Sequence, residues 1–167
     1  MKLKYIIILV LCVSIIPACS SSTAEKNKEK VPLKSEEKEN LIREAKDFFN
    51  RCVALEQSFD PAMTDLISDD AIVENIRFYP TGMKRKMTLT GAQYKELVRK
   101  VLPLAKQRGD TNRYFNMTYT LEGKNVRIKG TRHSNLKNYD SPISVLIAKD
   151  KKGKWLIIEH LTQSRPF

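Results

Sequence analysis

The C-terminal third of the chain alternates between apolar and polar residues in four segments, which short stretches of turn-forming residues separate. Alternation with a period of two is typical of strands with one buried face, and Gly, Asn and Asp between such runs indicate hairpin turns. The alternation therefore predicts two antiparallel hairpins. The predicted strands are Tyr114–Leu121, Val126–His133, Ile143–Lys149 and Lys154–Ser164. In the first of them the side chains expected on the buried face are Phe115, Met117, Tyr119 and Leu121.

The segment before these strands predicts a long amphipathic helix. Apolar residues recur at helical spacing from Ser35 to Ser58, and Asp60 with the following proline ends the pattern. A short second helix is expected over Pro61–Ile67. The aromatic Phe48 of the long helix and Trp155 of the last strand are expected to be largely buried.

Two more strands and a third helix are predicted in the middle of the chain. A turn at Ser68–Asp70 leads into the strand Ala71–Tyr79, and Lys86–Thr90 reads as a short strand. A helix begins at Gly91, and Pro103 should kink or shorten it. The order of these elements predicts an α+β fold in which helices cover one face of a curved antiparallel sheet.

The first residues of the chain have the features of an export signal. Two lysines flank the start of an apolar run, Tyr5–Ile16, which has the length of a signal core and is too short for a stable membrane-spanning helix. The sequence Ile16-Pro17-Ala18-Cys19 resembles the lipobox of bacterial lipoproteins. This resemblance implies that residues 1–18 are a signal peptide and that Cys19 carries the lipid. An uncleaved N-terminal anchor is the alternative.

The composition after Cys19 divides the rest of the chain into a tether and a domain. Residues 19–40 are rich in Ser, Lys and Glu, so they are expected to form a flexible polar tether, and residues 41–167 to form the folded domain. The expected location is the cell envelope, with the lipid in the membrane. Ser20 replaces the aspartate that retains many lipoproteins at the inner membrane, so a diderm host would place the protein on its outer membrane, facing the periplasm.

The chain is strongly basic, with a formal net charge of +11. Export makes nucleic acid an unexpected partner, and an anionic component of the envelope is the partner that the charge favours. A solvated basic surface without a partner is the alternative interpretation, and a homodimer stays open. Cys52 is the cysteine that would remain in the mature domain, so no intramolecular disulfide is expected.

Three segments resemble the nuclear-transport-factor-2-like, or SnoaL-like, superfamily of cone-shaped α+β domains. Leu66–Val73 resembles the entry into the first strand of that fold, Leu89–Tyr94 the glycine that starts its third helix, and Lys151–Ile157 its closing hairpin. The resemblance covers about Leu41 to Ser164. Members of the superfamily include isomerases, cyclases, dehydratases, non-catalytic binding modules and secretion-system subunits, so the fold leaves the function open.

The sequence contains no metal, nucleophile or nucleotide motif, so neither a cofactor nor a metal site is expected. The resemblance implies that a catalytic group would lie inside the cone, where burial can tune its pKa. His160 matches the closing-strand histidine of many members and should share a strand face with Leu156 and Ile158. A structural histidine that is bonded to the backbone is the alternative. The candidate hydrogen-bond donors are Tyr79, Tyr114 and Tyr119.

Two other candidates are expected to lie away from His160. His133 shares a face with basic residues and is expected to be solvated, and Glu159 should point to the opposite face from its neighbour His160. Glu74 is then the carboxylate that could approach His160, because it shares a strand face with Ile72, Ile76 and Phe78 and is expected to be buried.

Two functional hypotheses follow. The first is a lipid-anchored, non-catalytic binding domain for a small ligand, an envelope component or a protein. The alternative is a small isomerase or dehydratase that acts in the cone, and a secretion-apparatus subunit is a further alternative. A Glu74–His160 pair within hydrogen-bond reach inside an open pocket would favour the enzyme.

Overall fold

The computed structural model describes residues 34–165. The predicted signal peptide and the lipid attachment site Cys19 lie outside the described residues. Over the described range, two α-helices, one 3-10 helix and six strands follow each other along the chain. They are α1 (Ser35–Gln57), a 3-10 helix (Pro61–Leu66), β1 (Ile67–Phe78), β2 (Lys84–Thr90), α2 (Gly91–Arg108), β3 (Asn112–Glu122), β4 (Asn125–Ser134), β5 (Tyr139–Lys149) and β6 (Trp155–Ser164).

The strands form one sheet in the order β2-β1-β6-β5-β4-β3. All neighbouring strands are antiparallel except β1 and β6, which run parallel. The α+β class is confirmed, but the expectation of a purely antiparallel sheet is wrong because β6 inserts between β5 and β1. The turn residues of a hairpin indicate pairing only between strands that are consecutive in the chain. They therefore cannot predict the pairing of β1 with β6.

Helix α1 confirms the predicted amphipathic helix and begins at Ser35. The tether predicted to end at residue 40 therefore overlaps the first turns of the helix. At the other end, Phe59 adopts a positive φ of 55°, and the side chain of Asp60 accepts a hydrogen bond of 2.8 Å from the backbone N–H of Ala62. This cap starts the 3-10 helix that follows.

The core lies between α1 and the central strands. Ala45, Phe48 and Phe49 of α1 are buried against apolar side chains of β4, β5 and β6. Phe48 and Trp155 are each 8% exposed, which confirms the predicted burial of both aromatic side chains. Trp155 Nε1 donates a hydrogen bond of 2.9 Å to Glu44 Oε2, so the polar edge of the indole is also satisfied.

Strand β3 contains a bulge that changes which side chains face the core. Its register against β4 shifts between Phe115 and Thr118, and Asn116 has a φ of 55°. As a result Phe115 is 40% exposed, whereas Tyr114 packs against the core with Met117. The prediction that Phe115 shares a face with Met117 is therefore wrong, because a bulge inserts one extra residue into the alternation.

A second bulge has the same effect on β6. Leu146 pairs with Glu159 while Ile147 pairs with Ile157, so Ile158 is an extra residue in β6. His160 consequently lies with Ile157 on the face of the sheet that packs against α1, the inner face. Simple alternation predicted that His160 shares a face with Leu156 and Ile158, and this prediction is wrong because of the bulge.

The predicted turn at Ser68–Asp70 is part of strand β1 instead, and the register of β1 against β6 shifts between Ile67 and Ile72. Gly91 passes close to this irregular segment, since a Cβ atom at Gly91 would lie 1.8 Å from the Ser68 carbonyl oxygen. Asp69 Oδ1 forms a salt bridge of 2.7 Å with Nζ of Lys95 in α2. The start of α2 is thus packed against the first residues of β1.

Helix α2 begins with a capping box, in which Thr90 and Gln93 each bond the backbone N–H of the other. The helix continues past Pro103 to Arg108. Pro103 therefore does not shorten the helix, since five further helical residues follow the proline.

Candidate functional site

A pocket of about 110 Å³ lies between α1, the start of α2 and the inner face of the sheet. This volume is small compared with the roughly 300–1,000 Å³ of sites that take drug-sized ligands. Most of the wall is apolar, and several polar side chains interrupt it. The apolar side chains are Phe49, Val53, Met63, Ile67, Ile143, Val145 and Ile157, and the others are Cys52, Glu56, Tyr94, Tyr114, Arg132 and His160.

The carboxylate of this pocket is Glu56, near the end of α1. The Tyr114 hydroxyl donates a hydrogen bond of 2.6 Å to Glu56 Oε2, and Asn112 Nδ2 donates to Glu56 Oε1. Burial, and then the negative charge of Glu56, hold the pKa of Tyr114 well above its usual value of 10.0. Tyr114 therefore remains a protonated donor at neutral pH, and both carboxylate oxygens already accept a hydrogen bond.

Sequence analysis missed Glu56, although the helical spacing contains a signal for it. Phe49, Cys52 and Glu56 are separated by three and four residues, so they lie on one side of α1. A charged residue on the core-facing side of a helix needs either hydrogen-bond partners inside the protein or access to solvent. Here the partners come from β3, which is remote in sequence.

Tyr94 of α2 and His160 of β6 form the second polar group. Their rings meet edge to face, with centroids 5.8 Å apart and an angle of 76° between the ring planes. Burial and the positive charge of Arg132 lower the pKa of His160 to about 4, and burial and Glu56 raise the pKa of Tyr94 to about 12. Both side chains are therefore uncharged at neutral pH. Neither forms a side-chain hydrogen bond with another described residue.

Arg132 of β4 is the cation of the pocket. Its Nη2 donates hydrogen bonds to the Tyr139 hydroxyl at 3.1 Å and to the Gln163 backbone carbonyl at 3.2 Å. Its Nε is buried and has no hydrogen-bond partner among residues 34–165. Nη2 thus holds the guanidinium in place, while Nε and Nη1 donate to no described residue.

Cys52 also lines the pocket. Burial, and then the charge of Glu56, raise the pKa of its thiol to about 12. The thiol is therefore protonated at neutral pH, and it behaves as a small apolar side chain in the wall.

Glu74, the carboxylate predicted to approach His160, lies on the other face of the sheet. Val73 is the register partner of His160 in the parallel pair β1–β6, so Glu74 points away from the pocket. Glu74 Oε1 instead forms a salt bridge of 2.5 Å with Lys86 Nζ of the neighbouring strand β2. The apolar residues that share a face with Glu74 were misleading, because one of them, Ile72, is itself 51% exposed.

The structure confirms that Glu159 and His160 face opposite sides. Glu159 accepts a hydrogen bond of 2.6 Å from Arg127 Nη1, while His160 lines the pocket. His133 differs from expectation, because its side chain is only 16% exposed and its Nδ1 lies 2.7 Å from Asp140 Oδ1. Pairing with this carboxylate across β4 and β5 explains why a histidine on the outer face is not fully solvated.

Of the three candidate tyrosines, the structure places only Tyr114 in the pocket. Tyr79 lies at the end of β1, where the Arg77 guanidinium is 5.6 Å from the centroid of its ring. Tyr119 packs against the core, and Lys46 Nζ lies 5.7 Å from its ring centroid. Strand alternation alone could not separate the three, because the bulge in β3 moved Tyr114 inward.

Residues 34–165 contain neither a metal-binding cluster nor a membrane-spanning helix. No group of three or more His, Cys, Asp or Glu side chains there is arranged to hold a metal ion. No helix in that range is both long enough and apolar enough to cross a membrane.

Comparison with solved structures identifies similar folds. A protein from Novosphingobium aromaticivorans with a provisional scytalone dehydratase assignment matches with a TM-score of 0.53 and 13% identity, over 77% of this chain and 87% of that chain. An NTF2-like protein with a cystatin-like fold from the same organism matches with a TM-score of 0.53 and 15% identity, over 75% and 83% of the two chains.

A third similar structure is a protein from Parabacteroides distasonis with a provisional ketosteroid isomerase assignment. Its TM-score is 0.52 at 15% identity, over 78% of this chain and 92% of that chain. No protein-family model and no curated sequence matches the chain. At these identities the likeness concerns the fold. The chain has the nuclear-transport-factor-2-like cone fold, and its structural neighbours are NTF2-like, or SnoaL-like, proteins.

Proposed function

We propose that the domain is a non-catalytic binding module that takes a small molecule in the pocket between α1 and the sheet. The observation that carries the proposal is the pair Tyr94 and His160, whose polar groups line the pocket without a hydrogen-bond partner among the described residues. Both groups can be reached from the pocket, because among the described residues the buried side-chain atom without a hydrogen-bond partner is Arg132 Nε. A ligand that bonds these two groups would complete the site.

The ionisation of the polar residues favours binding over proton transfer. A general base works best with a pKa near the operating pH, and the pKa of His160 is about 4. The carboxylate of Glu56 already accepts hydrogen bonds from Asn112 and Tyr114 on its two oxygens. Both groups are therefore better suited to orienting a ligand than to abstracting a proton from it.

We also propose that the domain is held at the cell envelope by a lipid on Cys19. The support is the lipobox-like sequence Ile16–Cys19 after an apolar run, followed by a polar segment that reaches the start of α1 at Ser35. In this arrangement the pocket would sample small molecules of the envelope.

The binding proposal can be tested with the full-length chain in detergent micelles by ligand-observed NMR. The probes would be compounds of benzene size or smaller, since an apolar cavity of about 150 Å³ holds benzene. Tyr94→Phe removes one hydroxyl without changing the fold of α2, so it should weaken the binding of an oxygen-bearing probe by a few-fold to about tenfold. Val53→Phe should abolish binding because the larger side chain fills the pocket.

Val101→Phe is the matched control for the filling variant, because Val101 is 46% exposed on α2 and does not line the pocket. Circular dichroism would establish that each variant is folded. If Val53→Phe retains binding while folded, the ligand does not occupy this pocket and the proposal is wrong.

An isomerase or dehydratase is the second candidate function. It is favoured by one observation, namely that Glu56, Tyr114 and His160 line the same pocket. Glu56 would be the base and Tyr114 a donor to developing negative charge. If a probe that binds is converted to an isomer or a dehydrated product, and Glu56→Gln stops the conversion without stopping binding, the enzyme hypothesis replaces the binding module.

A further inference from the structure

The guanidinium of Arg132 has no counter-ion among the described residues. No carboxylate in residues 34–165 forms a salt bridge with it, although six salt bridges occur elsewhere in that range. Glu56 lines the same pocket, but its oxygens are bonded to Asn112 and Tyr114. A partly buried charge is costly unless it is paired, so the site is incomplete as a purely protein arrangement.

The hydrogen bonds of Arg132 show which part of the guanidinium is available. Nη2 is fixed by the Tyr139 hydroxyl and the Gln163 carbonyl, and Nε is buried without an acceptor. Nη1 bonds no described residue and is not buried, so it is the donor that a ligand in the pocket can reach. A guanidinium donor forms a short, charge-assisted hydrogen bond with a carboxylate oxygen. An anionic group bonded to Nη1 from the pocket would compensate the charge of the guanidinium.

We propose that the ligand of this pocket is a small organic carboxylate, whose anionic group pairs with Arg132 and whose apolar remainder packs against the wall. The proposal rests on the binding function proposed above. It is supported by Ile143, Val145 and Ile157, which line the same pocket as Arg132 and offer an apolar wall to a short apolar tail. Tyr94 and His160 supply additional donors beside the carboxylate.

The influence of Arg132 on its neighbours supports this position. Its charge is the second cause of the lowered pKa of His160, and it also opposes the raised pKa values of Tyr94 and Tyr114. The guanidinium is therefore electrostatically close to the three side chains that would surround the carboxylate. A bound anion would offset this positive charge and so raise the pKa of His160.

The test compares butyrate with butyramide, which have the same shape and number of heavy atoms but differ in charge. Binding of each to the full-length chain in detergent micelles would be measured by ligand-observed NMR titration. We expect butyrate to bind at least about tenfold more tightly than butyramide, because hydrogen bonds to charged groups are roughly twice as strong as neutral ones. Arg132→Met should remove this preference and leave the weaker binding of butyramide unchanged.

Two further variants keep the result interpretable. Arg132→Lys retains the positive charge but loses the planar fork, so it should keep part of the preference for butyrate even if Arg132→Met unfolds. Arg113→Met is the matched control, because Arg113 is exposed on β3 and bonds only Asn135 among the described residues. It should bind both probes as the unaltered chain does.

The outcomes separate the two proposals. If butyramide binds as tightly as butyrate, or if Arg132→Met keeps the preference for butyrate, the carboxylate inference is overturned while the binding pocket stands. If neither probe binds to the unaltered chain, both the carboxylate inference and the proposed binding function are overturned.

Discussion

The hydroxyl of Tyr114 donates a hydrogen bond of 2.6 Å to Glu56 Oε2, which joins the end of α1 to β3 at the pocket. The two residues are 58 positions apart in the chain. The bond keeps Tyr114 on the inner face beside the bulge and keeps the carboxylate of Glu56 at the pocket wall. The polar character of the pocket therefore depends on an interaction between two remote segments.

Glu56→Gln should change the titration of the pocket tyrosines. The charge of Glu56 helps to raise the pKa values of both Tyr94 and Tyr114, so its removal should lower both and make the tyrosines ionise at a lower pH. Loss of the charge-assisted hydrogen bonds should also destabilise the fold by about 1–2 kcal/mol. The ultraviolet absorbance of tyrosinate and urea unfolding would measure the two effects. Glu44→Gln, on the same helix but outside the pocket, should leave the tyrosine titration unchanged.

The protein should lose stability as the pH falls from about 6.5 to about 4 because of His160. The unfolded chain protonates this histidine with a pKa near 6.5, whereas its pKa in the fold is about 4. The unfolded state therefore binds more protons in this window, which lowers the free energy of unfolding by up to about 3 kcal/mol.

Urea unfolding at several pH values would measure this dependence against His160→Phe, which keeps the aromatic contact with Tyr94 and should flatten the slope in this window. Leu104→Ala, at a half-exposed position of α2 that does not line the pocket, serves as the control and should keep the slope. An unchanged slope in His160→Phe would contradict the assignment.

Gly91→Ala should be strongly destabilising even though alanine is the better helix former. The added Cβ atom would lie 1.8 Å from the Ser68 carbonyl oxygen, so backbone must move at the junction of α2 and β1. This cost should exceed the gain of about 1 kcal/mol in helix propensity. Thermal unfolding would compare it with Ala92→Gly, an exposed position in the same helical turn that should lose only about 1 kcal/mol. Equal or higher stability of Gly91→Ala would show that the close approach does not exist.

Trp155→Ala should lower the free energy of unfolding by about 3–5 kcal/mol, since the indole is 8% exposed and lies in the core cluster. Phe115→Ala is the informative comparison, because the bulge leaves Phe115 40% exposed and its loss should cost about 1 kcal/mol or less. Denaturant titration measures both values. A large loss in Phe115→Ala would mean that Phe115, not Tyr114, faces the core.

Cys19→Ser should abolish lipid attachment and leave an unprocessed precursor, because the thiol is the acceptor for the lipid. Cys12→Ser is the control and should be processed normally, since Cys12 follows the bulky Leu11 and is not preceded by a lipobox-like sequence. Mass spectrometry of the membrane fraction would measure the mass of each product. A soluble mature form cleaved at another position would contradict the lipoprotein proposal.

The sequence by itself determined the kind and order of the elements. The period of α1, the turn residues between β3 and β4 and between β5 and β6, and the burial of Phe48 and Trp155 all follow from local patterns of apolar residues. Such patterns are strong because each helix or strand must bury one face, whatever its neighbours are.

The tertiary structure alone decided which side chains meet in the pocket. The bulges in β3 and β6 moved Tyr114 inward and Phe115 outward, and placed His160 beside Ile157. The parallel pairing of β1 with β6 put Glu74 on the opposite face and left Glu56 as the carboxylate of the site. A bulge adds one residue to an alternation with a period of two, so it reverses every later side chain without changing the composition that sequence analysis reads.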